Sequence, residues 1–194
     1  MGSPDAPRDV VGILVVCTAN QCRSPLAAAM LRAALEQRGV ALPVSSAGLV
    51  GDQQPVTEET SDVAQAFGLD LAEHESRRLE TGLVRDAALV IGMERRHVRE
   101  AVVLDPAAWP HTFTLKELVR RGEATGKRAT GEALDDWLAR VHEGRQRSEL
   151  LGASLEDDVI DPTGNAFTDH DATARELLDL VGRFVRLAWP DDAS

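Results

Sequence analysis

Cys17 and Arg23 enclose the short stretch Thr18-Ala19-Asn20-Gln21-Cys22, with an apolar run (Val10 to Val16) before it and an alanine-rich stretch after it. Few folds accommodate that order. A continuous apolar run reads as a strand buried on both faces. Its conversion into a helix within a few residues marks the start of a βαβ unit, and so of a parallel sheet. The linking loop is about long enough to turn its N–H groups onto one tetrahedral oxyanion. Cys17 would then lie beneath the bound group, and the Arg23 guanidinium would hold its outer oxygens. A free thiol is only about 3% ionised at pH 7. Converging amides and an arginine favour the anion, which is the species that attacks phosphorus.

The alternation continues along the chain. Ser24 offers an N-cap and Pro25 a first-turn proline for a helix over Leu26 to Arg38, which Gly39 ends. Pro43 to Ala47 reads as a strand, Thr57 to Phe67 as a helix, Ala87 to Met93 as a second apolar strand, Arg95 to Val102 as a helix and Thr112 to Leu115 as a fourth strand. Asp171 to Trp189 carries Leu177, Leu180, Val181, Phe184 and Val185 at amphipathic helix spacing. In such sheets ligands bind at the carboxyl ends of strands, where Cys17 falls. The expected organisation is a flexible N-terminus over 1–9, one domain over 10–189 and a polar tail over 190–194. Residues 116–157 are less regular, with helices over Glu117 to Arg121 and Glu132 to His142.

At 194 residues and 43% hydrophobic content the chain can bury one substantial core. Its net charge of −11 disfavours nucleic acid as a partner. No apolar stretch approaches the roughly 20 residues that span a bilayer, so no membrane insertion is expected. The first ten residues lack the pattern of a secretory signal. Two cysteines four residues apart in the intervening sequence suit neither a disulfide framework nor a common zinc spacing. The expectation is a reduced, cytoplasmic protein with no metal and no cofactor. His97, His111, His142 and His170 read as solvated, and Arg77-Arg78 and Arg95-Arg96 as exposed helix charges.

Thiolate attack on a phosphate ester also needs a proton for the leaving group. Two Asp-Pro turns could carry the acid, Asp161-Pro162 and Asp105-Pro106, and turn mechanics alone leave both open.

The run Cys17-Thr18-Ala19-Asn20-Gln21-Cys22-Arg23-Ser24-Pro25 resembles the phosphate loop of low-molecular-weight protein tyrosine phosphatases. The likeness extends, in order, through Ser46-Ala47-Gly48, His74 to Leu79, Val90 to Met93 and Asp158 to Pro162. It implies a flavodoxin-like α/β sandwich with a four-stranded parallel sheet and helices on both faces. It also implies a metal-independent hydrolase acting on phosphorylated protein, with inorganic phosphate as product. Cys17 would be the nucleophile, Arg23 the phosphate clamp, and Asp161 the general acid and then the base for water attacking a phosphocysteine. Thr18 to Arg23 would form the phosphate-binding loop, held by Asn20, Ser24, Ser46 and His74. Cys22 matches a second cysteine able to form a protective, reversible disulfide with Cys17. The resemblance further implies that residues 116–157 exceed the family's usual core, and the expectation it raises is a helical insertion forming a flap near the pocket mouth.

Three features depart from that pattern. Ala19 stands where many members have Gly. The chain has no tyrosine, and Thr163-Gly164 and Leu49-Val50-Gly51 occupy places that commonly carry pocket aromatics, leaving Trp109, Trp137 or Phe167 as substitutes. Gln21 is neither the aliphatic residue usual in tyrosine phosphatases nor the threonine of related protein-arginine phosphatases. A protein-arginine phosphatase, an arsenate reductase served by a small thiol, and an inert oxyanion-binding module are the competing readings. An intramolecular arsenate cascade would lack a downstream thiol, because both cysteines lie in the loop.

Overall fold

In the computed structural model, which describes residues 12–163 and 169–191, the apolar run becomes strand β1 (Ile13–Cys17) and the alanine-rich stretch becomes helix α1 (Arg23–Glu36). Then follow β2 (Val44–Gly48), α2 (Glu58–Ala66), α3 (Thr81–Asp86), β3 (Leu89–Gly92), α4 (Arg95–Leu104), β4 (Thr112–Thr114), α5 (Leu115–Thr125), α6 (Leu134–His142) and α7 (His170–Ala188). Short 3₁₀ turns occupy Pro106–His111 and Arg147–Leu150. The strands lie in the order β2-β1-β3-β4, all parallel, with Cys17 opposite Gly48 and Val16 opposite Gly92.

Side chains alternate across β1, and so do the two cores. Ile13, Val15 and Cys17 join α1, α5, α6 and α7 residues such as Leu31, Leu118, Trp137 and Phe184 in the larger cluster. Leu14 and Val16 join Val84, Val90 and Ala101 in the smaller one, beneath α3 and α4. This is a three-layer α/β sandwich of the expected kind. Its four strands and most of its helices fall within a few residues of the expected positions; α3 is an addition. The expectations for residues 1–9, for Val10 and Val11, and for 192–194 lie outside the described residues.

Two local expectations are corrected. Ser24 is not the cap of α1: the helix already begins at Arg23, Cys22 holds the N-cap position without a side-chain bond, and the Ser24 hydroxyl turns to Cys17 instead. The 116–157 stretch is not a flap at the pocket mouth. Trp137, Leu138 and Val141 are buried in the larger core, and the Trp137 indole donates to Gly126 O at 2.9 Å. Removing such apolar surface from water is worth about 2 kcal/mol or more per large side chain, which holds α6 against the body of the fold.

Candidate active site

β1 ends at Cys17 and α1 begins at Arg23, so the loop between them hangs over the carboxyl end of the central strand. Asn20 adopts φ +57°, a left-handed conformation that asparagine tolerates better than most residues. Its side chain then fastens the turn. Asn20 Nδ2 donates to Ser24 Oγ (2.9 Å) and Ser46 Oγ (2.8 Å), and its Oδ1 accepts from the Arg77 amide (3.0 Å). His74 Nε2 donates to the Asn20 carbonyl at 2.7 Å. The loop can come this close to β2 because residue 48 is glycine: a Cβ there would lie 2.7 Å from Thr18 O and 2.8 Å from Asn20 N.

Within this frame the Cys17 sulfur accepts from the Asn20 amide (3.2 Å) and from the Ser24 hydroxyl (3.0 Å). Arg23 is buried, 1% exposed, with its guanidinium held on three acceptors. Nη1 donates to Glu94 Oε1 (2.6 Å) and Val159 O (2.8 Å), and Nη2 to Asp161 Oδ2 (2.5 Å). Cys17, Thr18, Ala19, Gln21, Cys22, Arg23, Thr57, Asp161 and Thr163 line one pocket of about 280 Å³. The fold therefore brings Cys17, Arg23 and Asp161 together from positions as far apart as 144 residues in the chain. Asp105 lies elsewhere, capping a 3₁₀ turn through the Ala107 amide.

Asp161 is held on both oxygens. Oδ1 accepts from the Thr163 hydroxyl (2.6 Å) and amide (3.0 Å). Burial pushes this carboxyl up, but the Thr163 bonds and the Arg23 and Arg96 charges outweigh it and hold the group below the usual carboxylate range. Burial pushes the Cys22 thiol up to about 11, partly offset by the Thr60 hydroxyl. The strand of chain ahead of Asp161 is pinned: Asp157 pairs with Arg95 (2.7 Å) and Arg120 (2.8 Å), Asp158 accepts from the Arg95 amide, and Val159 N donates to Met93 O.

Arg95 and Arg96 are thus not free helix charges. Arg96 Nη2 donates to Thr18 Oγ1 at 2.5 Å, and Arg77 sits outside any helix with its Nε on Ser46 O. His97 is not solvated; it is fully buried and contacts Thr18. Trp109 and Trp137 do not substitute for pocket aromatics, since Trp109 packs with Val98, Val102 and Leu150 and Trp137 is in the core. Phe167 lies outside the described residues. Sequence reasoning gave Thr57 and Glu94 no part in the site, read Arg96 as an exposed helix charge and His97 as solvated, and noted Thr163 only for standing where a pocket aromatic is common. A signal existed for two of them: Glu94-x-x-His97 follows β3 directly and forms a capping box at the start of α4, which sets it beside the loop.

A Cys-x₅-Arg loop at the carboxyl end of an inner strand of a parallel sheet carries the parts that a cysteine-dependent phosphohydrolase uses. Residues 12–126 match the model of the family described as low molecular weight phosphotyrosine protein phosphatase, and the chain belongs to that family. It is 36% identical over 112 residues to the low molecular weight protein-tyrosine-phosphatase Etp of Escherichia coli K12, covering 57% of this chain and 73% of that one. Over 132 residues it is 33% identical to EpsP of Ralstonia solanacearum, a probable low molecular weight protein-tyrosine-phosphatase, covering 68% and 89%. The solved structure of a low molecular weight protein tyrosine phosphatase from T. tengcongensis superposes with a TM-score of 0.66 at 26% identity, covering 90% and 97% of the two chains. The YwlE arginine phosphatase of Geobacillus stearothermophilus does so with a TM-score of 0.62 at 26% identity, covering 90% of each. The protein is a cysteine-dependent hydrolase whose substrate class is phosphoprotein and whose product is phosphate. Among the described residues no helix is long and apolar enough to cross a membrane.

Proposed function

We propose that this enzyme hydrolyses phosphotyrosine in proteins through a phosphocysteine on Cys17. The observation that carries the reading is the convergence of three groups on one small pocket. The Cys17 sulfur accepts from the Asn20 amide and the Ser24 hydroxyl, and Arg23 and Asp161 stand over the same space. In the first step the sulfur forms a bond to phosphorus and the P–O bond to the tyrosine breaks. Asp161, protonated, gives its proton to the departing phenolate. In the second step Asp161 takes a proton from water, the water oxygen bonds to phosphorus, and the S–P bond breaks to release phosphate and the thiolate. Arg23 and the loop amides hold the three non-bridging oxygens throughout.

Asp161 meets an electrostatic constraint on the way. In the free enzyme its carboxylate occupies Arg23 Nη2, and a dianionic phosphate needs the same donor. Phosphate binding therefore displaces the carboxylate from its cation, and a carboxylate beside a bound anion takes up a proton more readily. The acid is armed by the substrate itself.

Asn20, Ser24, Ser46 and His74 hold the loop in this reading, supported by four of the bonds that meet at Asn20. Cys22 shares the pocket wall with Cys17 and serves as its redox partner. A Cys17 sulfenic acid, formed by a peroxide, condenses with the Cys22 thiol to a disulfide and water.

Rapid-quench mass spectrometry during turnover of a phosphotyrosine peptide tests the proposal. A phosphate adduct on Cys17, with turnover abolished in Cys17→Ser, is the expected result. Turnover that survives Cys17→Ser sinks it. The same assay on a phosphoarginine peptide decides the substrate: faster turnover there moves the assignment to the P–N bond that the Geobacillus relative is named for.

A further inference from the structure

Three threonines line the pocket: Thr18, Thr57 and Thr163. Two have committed hydroxyls. Thr57 Oγ1 lies 2.9 Å from Thr60 Oγ1 and accepts from the Thr60 amide at 3.2 Å. Thr163 Oγ1 donates to Asp161 Oδ1 at 2.6 Å.

Thr18 is placed differently. Arg96 Nη2 reaches its oxygen at 2.5 Å, and a guanidinium can only donate. His97 Nε2 reaches the same oxygen at 3.2 Å. The direction of that bond follows from the other ring nitrogen. Nδ1 lies 2.9 Å from the Glu94 amide, whose N–H must donate to it, so the ring proton resides on Nε2 and points at Thr18. Burial, with the Arg23 and Arg96 charges, lowers the His97 pKa to about 3 and keeps the ring neutral, consistent with that tautomer. A hydroxyl oxygen has two lone pairs, and both are taken. Its own proton meets no acceptor among the described residues, and the residue stands on the pocket wall next to Cys17.

We propose that Thr18 is a substrate-binding donor: its hydroxyl, held with both lone pairs occupied by Arg96 and His97, gives its proton to an anionic oxygen of the phosphate group in the pocket. The assignment rests on the phosphatase reading and adds to it a side-chain donor beside the loop amides and Arg23. Glu94 couples the two cationic groups, since one of its oxygens accepts from Arg23 and the other lies 2.7 Å from Arg96 Nε. The phosphate site thus has an outer layer, Glu94-Arg96-His97, that fixes which way the Thr18 hydroxyl points. A bond from a neutral donor to an anionic acceptor is worth roughly a tenfold change in affinity or more.

The test compares the wild type with Thr18→Val, which keeps the shape and removes the hydroxyl, and Thr18→Ser, which keeps the hydroxyl. Two quantities are read: calorimetric affinity for inorganic phosphate, and kcat/KM for an aryl phosphate. Thr18→Val is expected to weaken phosphate binding about tenfold and lower kcat/KM by a similar factor, with melting within about 2 °C of wild type. Thr18→Ser is expected to stay within about twofold on both. Should Thr18→Val melt early, Thr18→Ala replaces it, measured at a temperature where both proteins are folded. Unchanged phosphate affinity in Thr18→Val, beside a wild type that turns over normally, overturns the donor role and leaves the phosphatase reading standing. A serine variant as impaired as the valine variant also overturns it, because the methyl and not the hydroxyl would then matter. A wild type that neither binds phosphate nor hydrolyses any phosphate ester removes both.

Discussion

His97 sits behind the phosphate loop, fully buried, with an amide on Nδ1 and a hydroxyl on Nε2. Protonating Nδ1 would set two N–H groups against each other and place a cation near Arg23 and Arg96. Burial is the first cause of the low pKa of about 3, and those two charges add to it. An unfolded histidine titrates near 6.5. Between about pH 6.5 and 3 the unfolded chain therefore binds a proton that the folded chain refuses, and stability falls as pH falls. From about pH 7 to pH 5 this one group should cost about 2 kcal/mol. Urea unfolding of wild type and His97→Gln over that range should show the variant losing less stability on acidification, by about that amount. Parallel pH dependences would place the ring's titration at its ordinary value. Cys17 and Arg23 are legible because a thiol and a guanidinium bracket a short loop between an apolar run and a helix, whereas Asp161 competes with Asp105 until the family resemblance separates them. The sequence conceals His97 and Thr163, whose roles consist of pointing at another side chain, and a pointing direction has no pattern along the chain.

At the scale of elements, the strands could be read because each is a short apolar run bounded by turn residues, and burial on both faces leaves no other use for one. The 116–157 stretch resisted reading because its anchor is a cation. Arg145, after α6, is 7% exposed, lies 3.9 Å from the Trp109 ring centroid and 4.0 Å from that of Phe113, and donates to both oxygens of Glu117 (2.6 and 2.9 Å). It also reaches the carbonyls of Trp109 and Thr112, tying α6 to α5 and to the start of β4. An arginine in a polar stretch reads as solvated from sequence, and only the fold supplies the carboxylate and the rings. Arg145→Met should lower stability by about 3–5 kcal/mol, since it strands a buried Glu117 carboxylate, and the double variant with Glu117→Gln should recover a large part of that. Denaturant midpoints of the wild type and the two variants measure this directly. A loss under about 1 kcal/mol in Arg145→Met would mean the pair is screened as surface pairs are.

The whole molecule carries −11, yet its site must receive a dianion. The opposing fields act over different ranges. In the proposed mechanism Arg23 and the loop amides act within a few ångströms of the phosphate, where little solvent intervenes. The acidic surface acts during approach, and two exposed acids, Glu58 and Glu59, directly follow the pocket-lining Thr57. Screening separates the two contributions. At about 0.01 M salt the Debye length is near 30 Å and approaching charges feel the whole protein, whereas at about 0.15 M it is near 8 Å. Phosphopeptides flanked by lysine should accordingly exceed otherwise identical glutamate-flanked ones in kcat/KM by about tenfold at the lower salt, with most of the gap closing at the higher. The effect should lie in kcat/KM and leave kcat alone, because it concerns encounter rather than chemistry. A preference that ignores salt would instead locate the discrimination in short contacts at the rim. Equal rates for both peptides at low salt would mean that the acids near the mouth are too dispersed to steer.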